Sequence, residues 1–256
     1  MNILTIGDVV GEQGCAFVRK HLPNLKKLKK IDLCIANGEN SAAGNGITPT
    51  SAQSLFDSGV DFITTGNHIY KRREIYEFLD ARKDVIRPAN LYSENPGAGI
   101  GVIDMGSMQV GVINLMGQAF MNIAENPFLC IDALLDRLKN CNVILLDFHA
   151  EATSEKRAMG FYLDGRAAVV FGTHTHVQTA DEQILPKGTG YITDLGMTGP
   201  IDSVLGVTPE SSLTWLKNSM PARYEVPDVP CMLSGCIFEV DAKANKCVSA
   251  ERICIS

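Results

Sequence analysis

The chain has 256 residues, 45% of them hydrophobic and 20% charged, with a formal net charge of −6. That length is enough to bury a sizeable core, and the composition is that of a globular enzyme. The acidic balance argues against a basic groove that grips long nucleic acid, but not against a nucleotide-sized phosphate.

From the N-terminus, strand and helix alternate. Ile3–Ile6 reads as a strand ending at Gly7-Asp8. Because Asp8 follows at once and no basic stretch precedes it, this apolar start is a strand rather than an export signal, and the cytoplasm is the default location. Residues 12–30 read as a helix with Phe17, Val18, Leu22, Leu25 and Leu28 on its apolar face, and Pro23 is expected to kink or interrupt it. Ile31–Ala36 is a second strand, ending in Asn37-Gly38-Glu39-Asn40. Thr48 caps a helix that has Pro49 at its first position. Val60–Thr64 is a third strand, ending at Gly66-Asn67-His68, and a charged helix follows over 71–80.

Ile100–Met105 and Met108–Asn114 form a hairpin around Gly106-Ser107. A helix over 127–140 precedes an apolar strand, Val143–Leu146, that ends in Asp147-Phe148-His149. A short helix over 154–161 and a strand over 167–171 lead to Gly172-Thr173-His174-Thr175-His176. The last third is β-rich, with strands at 191–193, 232–240 and 246–255 and a helix over 209–218. No repeat or long linker appears, so residues 1–256 read as a single domain. No apolar run is long enough to cross a bilayer. The eight cysteines contain no Cys-x-x-Cys and several sit in apolar strands, so buried thiols are expected rather than a zinc ribbon or disulfides.

Four of the five histidines fall in these strand-end motifs. Asp8, Glu39, Asn40, Asn67, His149, His174 and His176 together offer seven N and O ligands. One four- to six-coordinate ion does not need seven, whereas two ions sharing a carboxylate would use them. Individually each has a plain alternative: Asp8 as a helix N-cap, Glu39-Asn40 and Asn67 as turn residues, His149 as a core histidine. Their recurrence at successive strand ends favours the metal site. His68 adjoins Asn67, so both cannot easily face one ion. It suits a general acid, with simple hydrogen bonding to substrate as the alternative. The loop Asp194–Pro200, with Thr198 and Gly199, either lines a substrate pocket or is an ordinary turn. Lys71-Arg72-Arg73 either attracts phosphate or is a solvated helix start.

Gly-Asp, Gly-Glu-Asn, Gly-Asn-His, a strand-end His and Gly-Thr-His-Thr-His, in that order, resemble the calcineurin-like metallophosphoesterases. Val10 stands where that superfamily has the histidine of Asp-x-His, and Glu39-Asn40 replaces its bridging Asp. Together with Phe148–Lys156 and Asp194–Pro200, this variation resembles the YmdB-like branch of bacterial phosphodiesterases.

The resemblance implies a four-layer α/β/β/α sandwich with two mixed sheets. It implies Asp8, Asn40 and His176 on one ion, Asn67, His149 and His174 on the other, Glu39 bridging, and Asn40 compensating for the histidine absent at Val10. It further implies iron or manganese as the metal, with zinc compatible, and hydrolysis of 2′,3′-cyclic nucleotides to 3′-nucleotides by a metal-bridging hydroxide, with His68 as proton donor. The expected partner is a small phosphodiester or cyclic nucleotide, without long nucleic acid or membrane; the sequence is compatible with an oligomer. Two other readings use the same site: a regulator sensing nucleotide or metal, and a dimetal hydrolase of a non-phosphate bond.

Overall fold

The computed structural model describes residues 1–121 and 124–256. In chain order the elements are β1 (Asn2–Ile6), β2 (Asp8–Val9), α1 (Gly11–Leu28), β3 (Leu33–Asn37), α2 (Pro49–Asp57), β4 (Phe62–Thr64), α3 (Ile75–Ala81), β5 (Ile100–Asp104) and β6 (Gln109–Met116). They continue as α4 (Pro127–Arg137), β7 (Val143–His149), α5 (Thr153–Tyr162), β8 (Val169–Thr173), β9 (Gln183–Ile184), β10 (Gly190–Ile192), β11 (Met197–Pro200), α6 (Pro209–Asn218), β12 (Cys231–Asp241) and β13 (Lys246–Ile255).

Two sheets result. The first runs β2-β11-β12-β1-β3-β4, with β13 also paired to β12. The second runs β5-β6-β7-β8-β10-β9. Both are mixed: β1, β3 and β4 are parallel while β12 runs against β1, and β6, β7, β8 and β10 are parallel between antiparallel edge strands.

Alternation along the strands divides the apolar residues among three layers. Leu4, Ile6, Cys34, Ala36 and Ile63 face Val18, Leu22 and Leu25 of α1, Leu55 of α2 and Leu79 of α3. Ile3, Leu33, Ile35, Phe62, Val112, Leu145, Phe171 and Phe238 pack between the sheets. Ile113, Leu146, Phe148 and Val170 meet Ile131 and Leu134 of α4 and Met159 of α5. Three cores between four layers give the expected α/β/β/α sandwich.

The helix α1 continues through Pro23, contrary to the expected interruption. Pro23 is exposed and removes one backbone bond to Arg19, while Val18, Leu22 and Leu25 are buried against the first sheet. Each buried side chain contributes about 1.5–3 kcal/mol, which outweighs a proline cost of about 3 kcal/mol. Leu28, expected on that face, is exposed at the helix end. A reciprocal capping box starts α2: the Ser51 amide donates to Thr48 Oγ1 and the Thr48 amide to Ser51 Oγ. The helix after His68 begins only at Ile75, because residues 68–74 form tight turns. There Arg72 donates to the carbonyls of Asn45 and Ala43 instead of lying along a helix.

Candidate metal centre

The inter-sheet layer changes character at the carboxyl ends of the parallel strands. Inward positions that are apolar at Ile35, Val112, Leu145 and Phe171 become Asn37, Asn114, Asp147 and Thr173 two residues on, all fully buried. Asp147 accepts from Thr64 Oγ1 at 2.5 Å, Thr173 Oγ1 at 2.7 Å and Asn37 Nδ2 at 3.2 Å. Burial pushes its carboxyl up to about 6, against the opposing pull of His149 and the threonine hydroxyls. This polar floor ties β3, β4, β7 and β8 together directly beneath the strand-end motifs.

Above it the expected ligands converge. Asp8, Glu39 and His149 are fully buried and Asn40 nearly so. His149 Nε2 lies 2.9 Å from Asn67 Oδ1, 3.0 Å from His174 Nδ1 and 3.3 Å from Glu39 Oε1. On the other side Asn40 Nδ2 donates to Glu39 Oε1 at 3.1 Å and lies 3.2 Å from His176 Nε2. Asp8 Oδ1 is 4.0 Å from His149 Nδ1 and 3.8 Å from His176 Nε2. Its Oδ2 accepts the His174 amide at 3.1 Å. All seven ligand candidates therefore share one locus, with Asp8, Glu39, Asn40 and Asn67 from the first sheet and His149, His174 and His176 from the second.

Each histidine is oriented from outside. The Thr173 hydroxyl gives its proton to Asp147 Oδ1, so it accepts from His149 Nδ1 at 2.9 Å, and Nε2 faces the centre. His174 Nε2 lies 3.1 Å from Glu151 Oε2, which turns Nδ1 inward. His176 Nδ1 donates to the Leu205 carbonyl at 3.0 Å, again leaving Nε2 inward. His174 and His176 have φ of 102° and 63°, left-handed backbone that costs about 1–3 kcal/mol per side-chain-bearing residue. That irregular turn, rather than a continuing strand, aims both rings at one place.

The electrostatics fit a cation. Burial pushes Asp8 up, partly offset by His176 and His149, and its Oδ1 has no hydrogen-bond partner. Burial also acts to raise Glu39, but His149 and His68 outweigh it and hold that carboxyl well below its usual range. In return, although burial alone would lower His149, Glu39, Asp8 and Asp147 lift it to about 9. Burial and the neighbouring His149 charge depress His174 to about 3, leaving it a neutral donor. One atom each from Glu39, His149 and His174 lie within 4.8 Å of one another, a group that can hold a metal ion. Gly66 completes the cradle: a Cβ there would lie on His149 Nε2 and Glu39 Oε2. Three imidazoles, two carboxylates and the Asn67 amide oxygen, with the Asn40 amide beside them, form a mixed N/O set that can hold divalent cations.

His68 sits at the mouth, a quarter exposed. Its Nδ1 lies 2.9 Å from Asn40 Oδ1 and 3.3 Å from Glu39 Oε1, and its Nε2 3.4 Å from Asn45 Nδ2. A cleft of about 510 Å³ opens there, lined by Asn40, His68 and His176 together with Asn45, Lys71, Leu205, Tyr224 and Val226. Thr198 and Gly199 do not line it. Both are buried in β11, where Gly199 packs on Val10, at the position of the absent histidine. Of the basic run, Lys71 reaches the cleft and Arg72 pins the loop at Ala43 and Asn45. Sequence reasoning missed Glu151 and Tyr224. Glu151 lay inside the singled-out 148–156 stretch, but no local signal marked Tyr224.

A family model described as YmdB-like protein matches residues 4–253. The chain is 47% identical to the 2′,3′-cyclic-nucleotide 2′-phosphodiesterase of Bacillus subtilis (strain 168), over 100% of this chain and 97% of that one. Among solved structures, a hypothetical protein from Thermus thermophilus superposes with a TM-score of 0.94 at 37% identity, covering 99% of this chain and 98% of its own. A novel phosphatase from Mycoplasma pneumoniae superposes with a TM-score of 0.95 at 35% identity, covering 100% and 93%.

Proposed function

Since the chain belongs to the YmdB-like family, we propose that it is a metal-dependent phosphodiesterase that hydrolyses 2′,3′-cyclic nucleotides to 3′-nucleotides, with residues 1–256 acting as one metallophosphoesterase domain. The observation that carries this reading is Glu39, whose Oε1 lies within 3.3 Å of both His149 Nε2 and Asn40 Nδ2. One carboxylate thus touches both halves of the ligand set, as a bridging residue must. Asp8, Asn40 and His176 would hold one cation and Asn67, His149 and His174 a second, with iron or manganese fitting the donors and zinc compatible. When bound, such a pair activates water and neutralises charge on phosphoryl oxygens.

The remaining steps belong to the chain. Burial of Asp8 and Glu39 keeps bulk water from the ligands. The His68 ring is held at Nδ1 by Asn40 and Glu39, so Nε2 points to the cleft and delivers a proton to the departing 2′ oxygen. Lys71 draws the anionic substrate in, while Leu205, Val226 and Tyr224 form an apolar wall for the nucleoside. Among the described residues no helix is long and apolar enough to cross a membrane. Eight unpaired thiols suit the reducing cytoplasm.

The test compares His68→Ala with His174→Ala on 2′,3′-cyclic, 3′,5′-cyclic and linear phosphate esters, with elemental analysis of each protein. His68→Ala should keep its metal and lose about 10²–10⁴ in turnover, partly restored by a p-nitrophenolate leaving group that needs no acid. His174→Ala should lose metal. Metal loss in His68→Ala, or turnover of esters and amides but no phosphodiester, would overturn the assignment.

A further inference from the structure

Lys156 and Asp194, two buried charged residues that the phosphodiester chemistry does not use, meet behind the centre. Lys156 of α5 and Asp194 are 2% and 1% exposed, and Lys156 Nζ donates to Asp194 Oδ2 at 2.6 Å. The same oxygen accepts the Thr175 amide at 3.1 Å and the Thr175 hydroxyl at 2.8 Å, while Oδ1 accepts the Gly196 amide at 2.8 Å. Thr175 is the middle residue of the left-handed turn that carries His174 and His176. The Gly196 carbonyl in turn accepts the amide of Asp8 at 3.1 Å. Gly172 lets the Thr193 backbone come close: a Cβ there would lie on the Thr193 carbonyl, with Lys156 Cδ 3.0 Å away.

We propose that Lys156 and Asp194 are positioning residues: a buried clamp that fixes the His174-Thr175-His176 turn and the strand end bearing Asp8 relative to each other, and thereby sets cation affinity without touching cation or substrate. The physical reason is that two left-handed residues so close together do not hold themselves. A turn in sparsely populated backbone persists only where its surroundings over-determine it. Here a buried carboxylate grips the turn through the amide and the hydroxyl of Thr175, and the ammonium compensates the carboxylate charge that burial would otherwise penalise. An ion pair made only for stability could be replaced by neutral groups without consequence for the site. The clamp's anchoring of Thr175 makes a different prediction.

This inference rests on reading the centre as a metal site, and the experiment separates the two. Chelated parent protein, Lys156→Met/Asp194→Asn and Thr175→Val are titrated calorimetrically with Mn²⁺, and the melting temperature of each chelated form is measured alongside. The double variant removes both buried charges together, so it leaves no unpaired ion. The expected result is a melting temperature near that of the parent with Mn²⁺ affinity lower by about 10- to 100-fold, and a smaller loss in the same direction for Thr175→Val. Parental Mn²⁺ affinity in both variants, whatever their melting temperatures, overturns the clamp. If the double variant does not fold, Thr175→Val decides alone. A parent that binds no Mn²⁺ sinks the metal-site reading itself.

Discussion

Gly66 is the position where one atom decides the chemistry. Because a methyl group there would occupy the space of His149 Nε2 and Glu39 Oε2, Gly66→Ala should fold yet bind little metal, a result that elemental analysis would show; full metal content would contradict the geometry. The Glu39–His149 contact sets the response to pH. In chelated protein His149 rises from 6.5 to about 9, with burial opposed by Glu39, Asp8 and Asp147. The folded form therefore keeps a proton that the unfolded form releases. Its stabilisation is complete below about pH 6.5 and is lost as pH rises through about 9. A cation at Nε2 requires that proton to leave, so loading at about pH 7.5 should release it and affinity should climb with pH. Titration in two buffers of different ionisation enthalpy reads this directly; identical heats in both would exclude it.

At the scale of elements, the legible parts were those with local chemical signals. Thr48-Pro49 marks the start of α2 because a cap and a proline need no distant partner. The strand expected at Val143–Leu146 announces itself by its apolar run, and the structure carries it on to His149. The two-residue strands β2 and β9 and the buried β11 were not legible, because pairing with distant strands creates them rather than propensity. Pro23 misled for the same reason, since its effect on α1 is overridden by what the helix packs against. The strain should nonetheless be recoverable. Pro23 is exposed in an unbroken helix, so Pro23→Ala should raise stability by about 1–3 kcal/mol, measured by urea unfolding. A lower midpoint would mean that the proline is shaping the helix.

Across the whole molecule, the order of motifs along the chain was enough to identify which side chains gather. All seven expected ligands and His68 lie at one locus, because parallel strands carry their carboxyl ends to the same edge of each sheet. What sequence could not supply was the turn of each ring, which depends on partners as remote as Thr173 for His149 and Leu205 for His176. Nor could it tell that Thr198 and Gly199 face inward to the core, since a glycine-rich loop and a buried strand of the same residues read alike.

The division of donors between the sheets, four side chains from one and three from the other, has a mechanical consequence. An ion seated among them fastens the two halves of the sandwich like a rivet, so occupancy and cohesion are one equilibrium. Stripping the ion with a chelator should quicken amide hydrogen exchange along the seam, at Ile35 and Leu145 for example, while leaving the far edge at β5 untouched. Equal protection in loaded and stripped protein would show that the sheets adhere without it.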